Sequence, residues 1–343
     1  CYRKAIDLKQ DFAEAYNNLG VTLQKLNRFD EAISSYRHAL TNSPDYVEAH
    51  FNLGKVMQHL GKLGEAESHY RKVILLMPDH VQAHFHLARA LAALDQLEKA
   101  AAMYREVLRL KPNSFEAYLN LGAVYTQLDL YDEAVKEFQT AVELQPNSAI
   151  AHNNLGTGLK ELGQLETAEK EYRQALKLEP NFPLVHLNLG MVFHTLGNLD
   201  ESAASYRRAI ALYPQYDTAY NNLGNVLRSR GHMDKAVANY RKAIELNPGS
   251  ALAHTNLGLA LEDLKLFEEA LASYSTVVGI DSDSASAHYK LGFALQRLGK
   301  YEEALTSHYK AFLLDPAEAD GGADLLECLY AVGRKTAFFK TLD

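Results

Sequence analysis

The chain has 343 residues, of which 47% are hydrophobic and 23% charged, with 35 basic against 43 acidic side chains and a formal net charge of -8. No stretch approaches the ~20 uninterrupted apolar residues of a membrane span, and the acidic balance argues against nucleic acid, which needs a surplus of Lys and Arg on one face. Two cysteines, Cys1 and Cys328, exclude a disulfide framework and a cysteine-based zinc site, and they fit a reducing, cytoplasmic compartment.

The first twelve residues read as the last half of a helix, and residue 1 is Cys rather than Met, so the expectation is that the natural chain begins further upstream. From Ala13 to Glu318 the sequence then repeats nine times with a period of 34 residues. Within each unit, apolar or small residues at positions 3, 4, 7, 8, 10, 11 and 14 form the stripe of an amphipathic helix A. Position 7 is leucine throughout (Leu19 to Leu291), and position 8 is glycine except at Ala88. Position 15 reads Asn27, Gly61, Asp95, Asp129, Gly163, Gly197, Gly231, Lys265 and Gly299, which predicts a left-handed turn ending helix A in all but one unit.

A second stripe at positions 17, 20, 24, 27 and 28 predicts helix B, with an acid at position 18 in eight of nine units to suit its N-terminus. Position 20 is alanine except at Ser202, position 24 is tyrosine except at Phe138 and His308, and position 32 is proline except at Ser282. Proline there stops helix B. Neither helix can bury its stripe alone, so neighbouring units must stack into an all-α solenoid with A helices on one face and B helices on the other. Small residues at positions 8 and 20 are expected to let paired helices approach, and the aromatic at position 24 to fill the space between units.

Residues 319–343 keep Leu325 at position 7 and Gly333 at position 15 but place Leu326 and Phe338 where small residues belong. This segment reads as a divergent, truncated tenth repeat or the start of a capping helix. A cap should present a polar outer face, and the Phe338–Phe339 pair favours the repeat.

The combination of leucine at 7, glycine at 8, alanine at 20, tyrosine at 24 and proline at 32 resembles the tetratricopeptide repeat (TPR) family. The resemblance implies a right-handed superhelical α-solenoid with the A helices on its concave side. The chain departs from the family at position 4, often Trp there, which is here Tyr or His; the chain has no Trp. Positions 2, 5, 6, 9, 12 and 13 of helix A lie away from the apolar stripe and in this architecture face the groove.

Position 6 is Asn18, Asn52, Asn120, Asn154, Asn188, Asn222 and Asn256 in seven of the nine units, interrupted by His86 and Lys290. Asparagine is a mediocre helix former, so propensity does not explain the row. A primary amide offers two donors and two acceptor lone pairs, enough to hold both C=O and N–H of an extended peptide. The row resembles the asparagine ladder in the repeat region of O-GlcNAc transferases, which hold substrate and adaptor peptides along the superhelix. Nearby, Phe51 and Phe85 could form apolar pockets, with Tyr289 and Phe293 in the last unit, and Lys55, Arg89, Lys160 and Arg228 could meet acidic groups on a ligand. Chaperone-binding repeats clamp a C-terminal carboxylate with two Lys, two Asn and an Arg, but position 6 is never arginine here, so chaperone tails are not expected ligands.

Six histidines (His50, His84, His152, His186, His254 and His288) occupy position 4 of separate units, too far apart to share a zinc ion. They are expected to be structural, in place of Trp or Tyr. No phosphate loop, dinucleotide fingerprint, nucleophile elbow or zincin motif occurs, so the expectation is no catalysis, metal or cofactor within this chain. The favoured function is a scaffold binding extended peptides of other proteins. The alternatives are the substrate-recruiting arm of an O-GlcNAc-transferase-like or Spindly-like glycosyltransferase, and a structural or self-associating spacer.

Overall fold

The computed structural model describes residues 2–316 and 321–333, with side chains in the last helix described from Asp324 onward. Twenty helices and no strand occur among the described residues. None is long and apolar enough to cross a membrane. The helices fall into two compact units, residues 1–178 and 179–343.

In the first unit, the short α1 (Tyr2–Leu8) precedes five helix pairs: α2 (Ala13–Lys25) with α3 (Phe29–Asn42), α4 (Val47–His59) with α5 (Leu63–Leu76), α6 (Val81–Ala93) with α7 (Leu97–Leu110), α8 (Phe115–Gln127) with α9 (Tyr131–Leu144), and α10 (Ala149–Glu161) with α11 (Leu165–Leu178). The second unit continues with α12 (Pro183–Thr195) and α13 (Leu199–Leu212), α14 (Asp217–Ser229) and α15 (Met233–Leu246), α16 (Ala251–Asp263) and α17 (Phe267–Ile280), α18 (Ala285–Arg297) and α19 (Tyr301–Leu314), and α20 (Gly321–Ala331). Within each unit, each pair packs on itself and each B helix packs on the A helix that follows it, so the core of each unit runs along its own stack. The Phe338–Phe339 pair and Cys1 lie outside the described residues.

Position 15 is left-handed in every repeat. The φ values are +57° at Asn27, +58° at Asp95, +57° at Asp129 and +60° at Lys265, and +73° at Gly61. The next residue's N–H then reaches back to close the turn, as Arg28 does to the Leu23 carbonyl at 2.9 Å and Leu266 to the Leu261 carbonyl at 2.8 Å. Lys265 has neither glycine's freedom nor a short amide or carboxylate, and its backbone strain costs about 1–2 kcal/mol.

The position-24 ring lies on the glycine of its own repeat, and at Tyr70 it also stacks on His86 of the following repeat, with ring centroids 5.6 Å apart. A Cβ added to Gly20 would come within 2.6 Å of the Tyr36 ring, and one on Gly224 within 2.5 Å of Tyr240. Glycine is there to make room for the ring, which explains why both positions recur together. Ser202 is explained in the same place: its buried hydroxyl donates to the Gly190 carbonyl at 2.7 Å.

The six position-4 histidines share one geometry. Each Nε2 lies beside the carbonyl oxygen six residues earlier, from 2.8 Å for His50 on Pro44 and His84 on Pro78 to 3.1 Å for His254 on Pro248. His152, His186 and His288 do the same at 3.0 Å. The ring thus pins the turn between helix B and the next helix A, and sequence reasoning gave no sign of that partner.

Candidate functional site

The seven asparagines at position 6 all sit half-buried on A helices. The first unit carries Asn18, Asn52, Asn120 and Asn154, with His86 on α6 interrupting; the second carries Asn188, Asn222 and Asn256, followed by Lys290 on α18. Position 5, which the helical wheel places toward the groove, is half-buried at Phe51, Phe85, Leu119, Thr255 and Tyr289 and buried where it is asparagine. Asn17, Asn153 and Asn221 there are 5%, 4% and 4% exposed.

These buried amides steady the row above them. Asn52 donates to Asn17 Oδ1 at 3.1 Å and Asn256 to Asn221 Oδ1 at 2.9 Å, each one repeat back. Asn153 donates to Asn154 Oδ1 at 3.1 Å, and Asn120 to the Glu116 carbonyl at 2.6 Å. Each such bond occupies one of an amide's four hydrogen-bonding sites. Asn52, Asn120 and Asn256 keep an N–H and the side-chain oxygen, and Asn154 keeps both N–H donors. The side chains are oriented without being saturated.

The position-24 tyrosines reach the same face from below. Their rings are buried, yet their hydroxyls emerge between A helices: Tyr36 donates to Gln24 Oε1 at 3.0 Å, Tyr70 to Gln58 Oε1 at 2.9 Å, and Tyr240 to Asn225 Oδ1 at 2.8 Å. Burial pushes the Tyr206 and Tyr240 hydroxyls up to about 12, so they remain donors through the physiological range. Gln24, Gln58 and Asn225 were missed as groove residues because positions 9 and 12 vary in residue type. Their common feature is the tyrosine beneath them.

The aromatic candidates form no open pocket. Phe51 packs against Tyr70, His80 and His86 with ring centroids 6.0, 4.9 and 5.5 Å apart, and Phe85 lies edge-on to Tyr104 at 5.7 Å. In the last repeat, the Tyr289 hydroxyl donates to Asp324 at 2.7 Å and Phe293 lies 5.2 Å beneath the Arg297 guanidinium. Lys160 is paired with Glu161 at 2.6 Å and Arg228 with Asp263 at 2.8 Å, while Lys290 donates to Ser286 at 2.6 Å. Lys55 and Arg89 line a recess of about 430 Å³ with Gln24, Gln58, His59 and His86.

His86 stands where the amide row breaks, with its Nδ1 3.1 Å from Gln58 Oε1. Burial, then Arg89, Lys55 and His80, lower its pKa to about 4. The folded chain therefore holds a neutral imidazole, whereas the unfolded chain takes up a proton near pH 6.5. Stability from this residue is complete above about pH 6.5 and is lost as pH falls toward 4. His69, His186 and His308 are shifted downward by burial as well, so they add to the loss. The melting temperature is expected to fall between pH 7 and pH 4.5, and His86→Asn to make that fall shallower; an identical slope in the variant would remove His86 from the account.

Six family profiles match the chain. Those described as "TPR repeat" cover residues 88–129, 224–265 and 266–299, and those described as "Tetratricopeptide repeat" cover 13–46, 47–80, 113–179, 153–217 and 285–318. No curated protein matches. Among solved structures, the chain is similar to the APC/C hetero-tetramer Cut9-Hcn1, with TM-score 0.59 and 17% identity over 96% of this chain and 81% of that one. It is also similar to a tetratricopeptide repeat protein from Parabacteroides merdae, with TM-score 0.60 and 19% identity over 74% of this chain and 99% of that one. Pseudomonas aeruginosa pilF gives TM-score 0.55 and 21% identity over 62% and 95%. At these identities the likeness is one of fold.

Proposed function

The chain belongs to the tetratricopeptide repeat family, and from that premise we propose that it is a non-catalytic scaffold whose A-helix face binds extended segments of partner proteins through its asparagine row. The observation that carries this reading is the partial use of the amides. Asn52, Asn120, Asn154 and Asn256 are each fixed by a bond within the protein and each keeps donors or acceptors unspent. An amide serving only local polar demand would gain nothing from spare capacity that recurs at these four equivalent positions.

Spacing supports it. Packed helices lie ~8–10 Å apart and an extended chain advances ~3.3 Å per residue, so about three peptide residues pass each repeat. One amide per repeat can then take a backbone C=O and N–H at each step, with little regard to side chains. At ~0.5–1.5 kcal/mol net per hydrogen bond, several rungs sustain micromolar binding after ordering costs.

Backbone recognition has a direct signature. A fluorescein-labelled 15-residue peptide of Ala, Ser and Thr should bind equally well when its sequence is scrambled. N-methylation at alternate residues removes donors and blocks close approach, and should weaken binding by roughly tenfold or more. Equal affinity of the methylated peptide would rule out gripping through the backbone.

A further inference from the structure

Four groove cations stand out in the sequence, and the structure neutralises two of them. Lys160 and Arg228 each hold a carboxylate, at 2.6 Å and 2.8 Å. Lys55 and Arg89 form no ion pair among the described residues, and both line the same recess of the first unit. No acidic side chain lines that recess, although the chain as a whole carries a net charge of -8.

The neutral residues around it are turned the same way. Gln24 and Gln58 each give their side-chain oxygen to a buried tyrosine, and Gln58 Oε1 also faces His86 Nδ1 at 3.1 Å. Gln58 Oε1 thus meets two partners within the protein and Gln24 Oε1 one, and the N–H₂ ends are the part of each amide left whole to meet a ligand. Lys55 is held in place by the Phe51 ring, whose centroid lies 5.6 Å from Nζ. A recess edged by two cations and two amide donors suits one kind of group.

The second unit supplies the contrast. Its recess of about 480 Å³ is lined by His194, Asn225, Arg228, Asn256 and Asp263, so it is similar in size but contains its own counter-ion. Arg228 there is already satisfied. Size therefore does not separate the two recesses, and charge does.

We infer that the Lys55–Arg89 recess binds an anionic side chain, a carboxylate or a phosphorylated hydroxyl, of the extended peptide, so that the first three repeats select for charge where the asparagine row does not. This rests on the peptide-binding reading above. The carboxylate-clamp pattern is not involved, since both Lys55 and Arg89 occupy position 9 and no repeat has an arginine at position 6. His86 stays neutral at physiological pH, so the charge comes from Lys55 and Arg89.

The test uses the full chain and three labelled 15-residue Ala/Ser/Thr peptides that differ only in a central Gln, Glu or phosphoserine. An anionic centre should tighten binding about tenfold, the gain expected of one or two charge-assisted hydrogen bonds. Lys55→Gln with Arg89→Gln should erase that gain and leave the Gln peptide's affinity unchanged, while Arg228→Gln should preserve it. A larger gain for phosphoserine assigns the site to phosphate, and equal gains assign it to carboxylates. Equal binding of all three peptides, or a preference that survives the double variant, overturns this inference while leaving the ladder intact. If no peptide binds the native chain, the ladder reading fails and this one with it.

Discussion

Replacing Tyr240 by Ala is expected to destabilise the second unit by about 3–5 kcal/mol, the cost of emptying a large aromatic site in a core. Its ring is fully buried in the cluster formed by Leu223, Leu227, Ala236 and Leu257, and it lies on Gly224 so closely that not even a Cβ fits between them. Tyr240→Phe removes only the bond to Asn225 Oδ1 and should cost about 0.5–1.5 kcal/mol. Because repeats contact mainly their neighbours, the damage should be local. Hydrogen exchange should accelerate first in α14 and α15, and urea denaturation should lose its single sharp transition. An Ala variant no less stable than the Phe variant would mean that the ring is not the keystone of its repeat.

The repeat architecture is legible in the sequence because each rule is local and recurs in register. Position 15 announces its left-handed turn through Asn27, Asp95 and the glycines, and even Lys265 is carried into that geometry by its neighbours. The pairing of glycine at 8 with tyrosine at 24 is legible as a correlation, but its cause is not: the ring sits on the glycine, sixteen residues back in the sequence. The asparagine row is legible as a pattern, whereas its buried support at Asn17, Asn153 and Asn221 is not, because a helical wheel places these three residues toward the groove. Electrostatics were the least legible. Arg228 finds its partner Asp263 thirty-five residues later, and only three-dimensional register shows that this cation is spent while Lys55 and Arg89 are not.

The central claim is that position-6 amides grip a peptide backbone rather than hold the fold together. The most direct measurement pairs peptide affinity with melting temperature in the variant Asn52→Ala, Asn120→Ala and Asn154→Ala, all within the first unit. The three side chains are half-buried, and the bonds they make within the protein are to Asn17, Glu116 and Asn153, two of them to other amides. Alanine is also the better helix former at each site, by a few tenths of a kcal/mol or more, which offsets part of what those bonds contribute. The account predicts an Ala/Ser/Thr peptide bound about tenfold or more weakly, from the loss of several net hydrogen bonds, with the melting temperature nearly unchanged. A collapsed melting temperature with undiminished affinity in the folded fraction would contradict it and make the ladder a structural device.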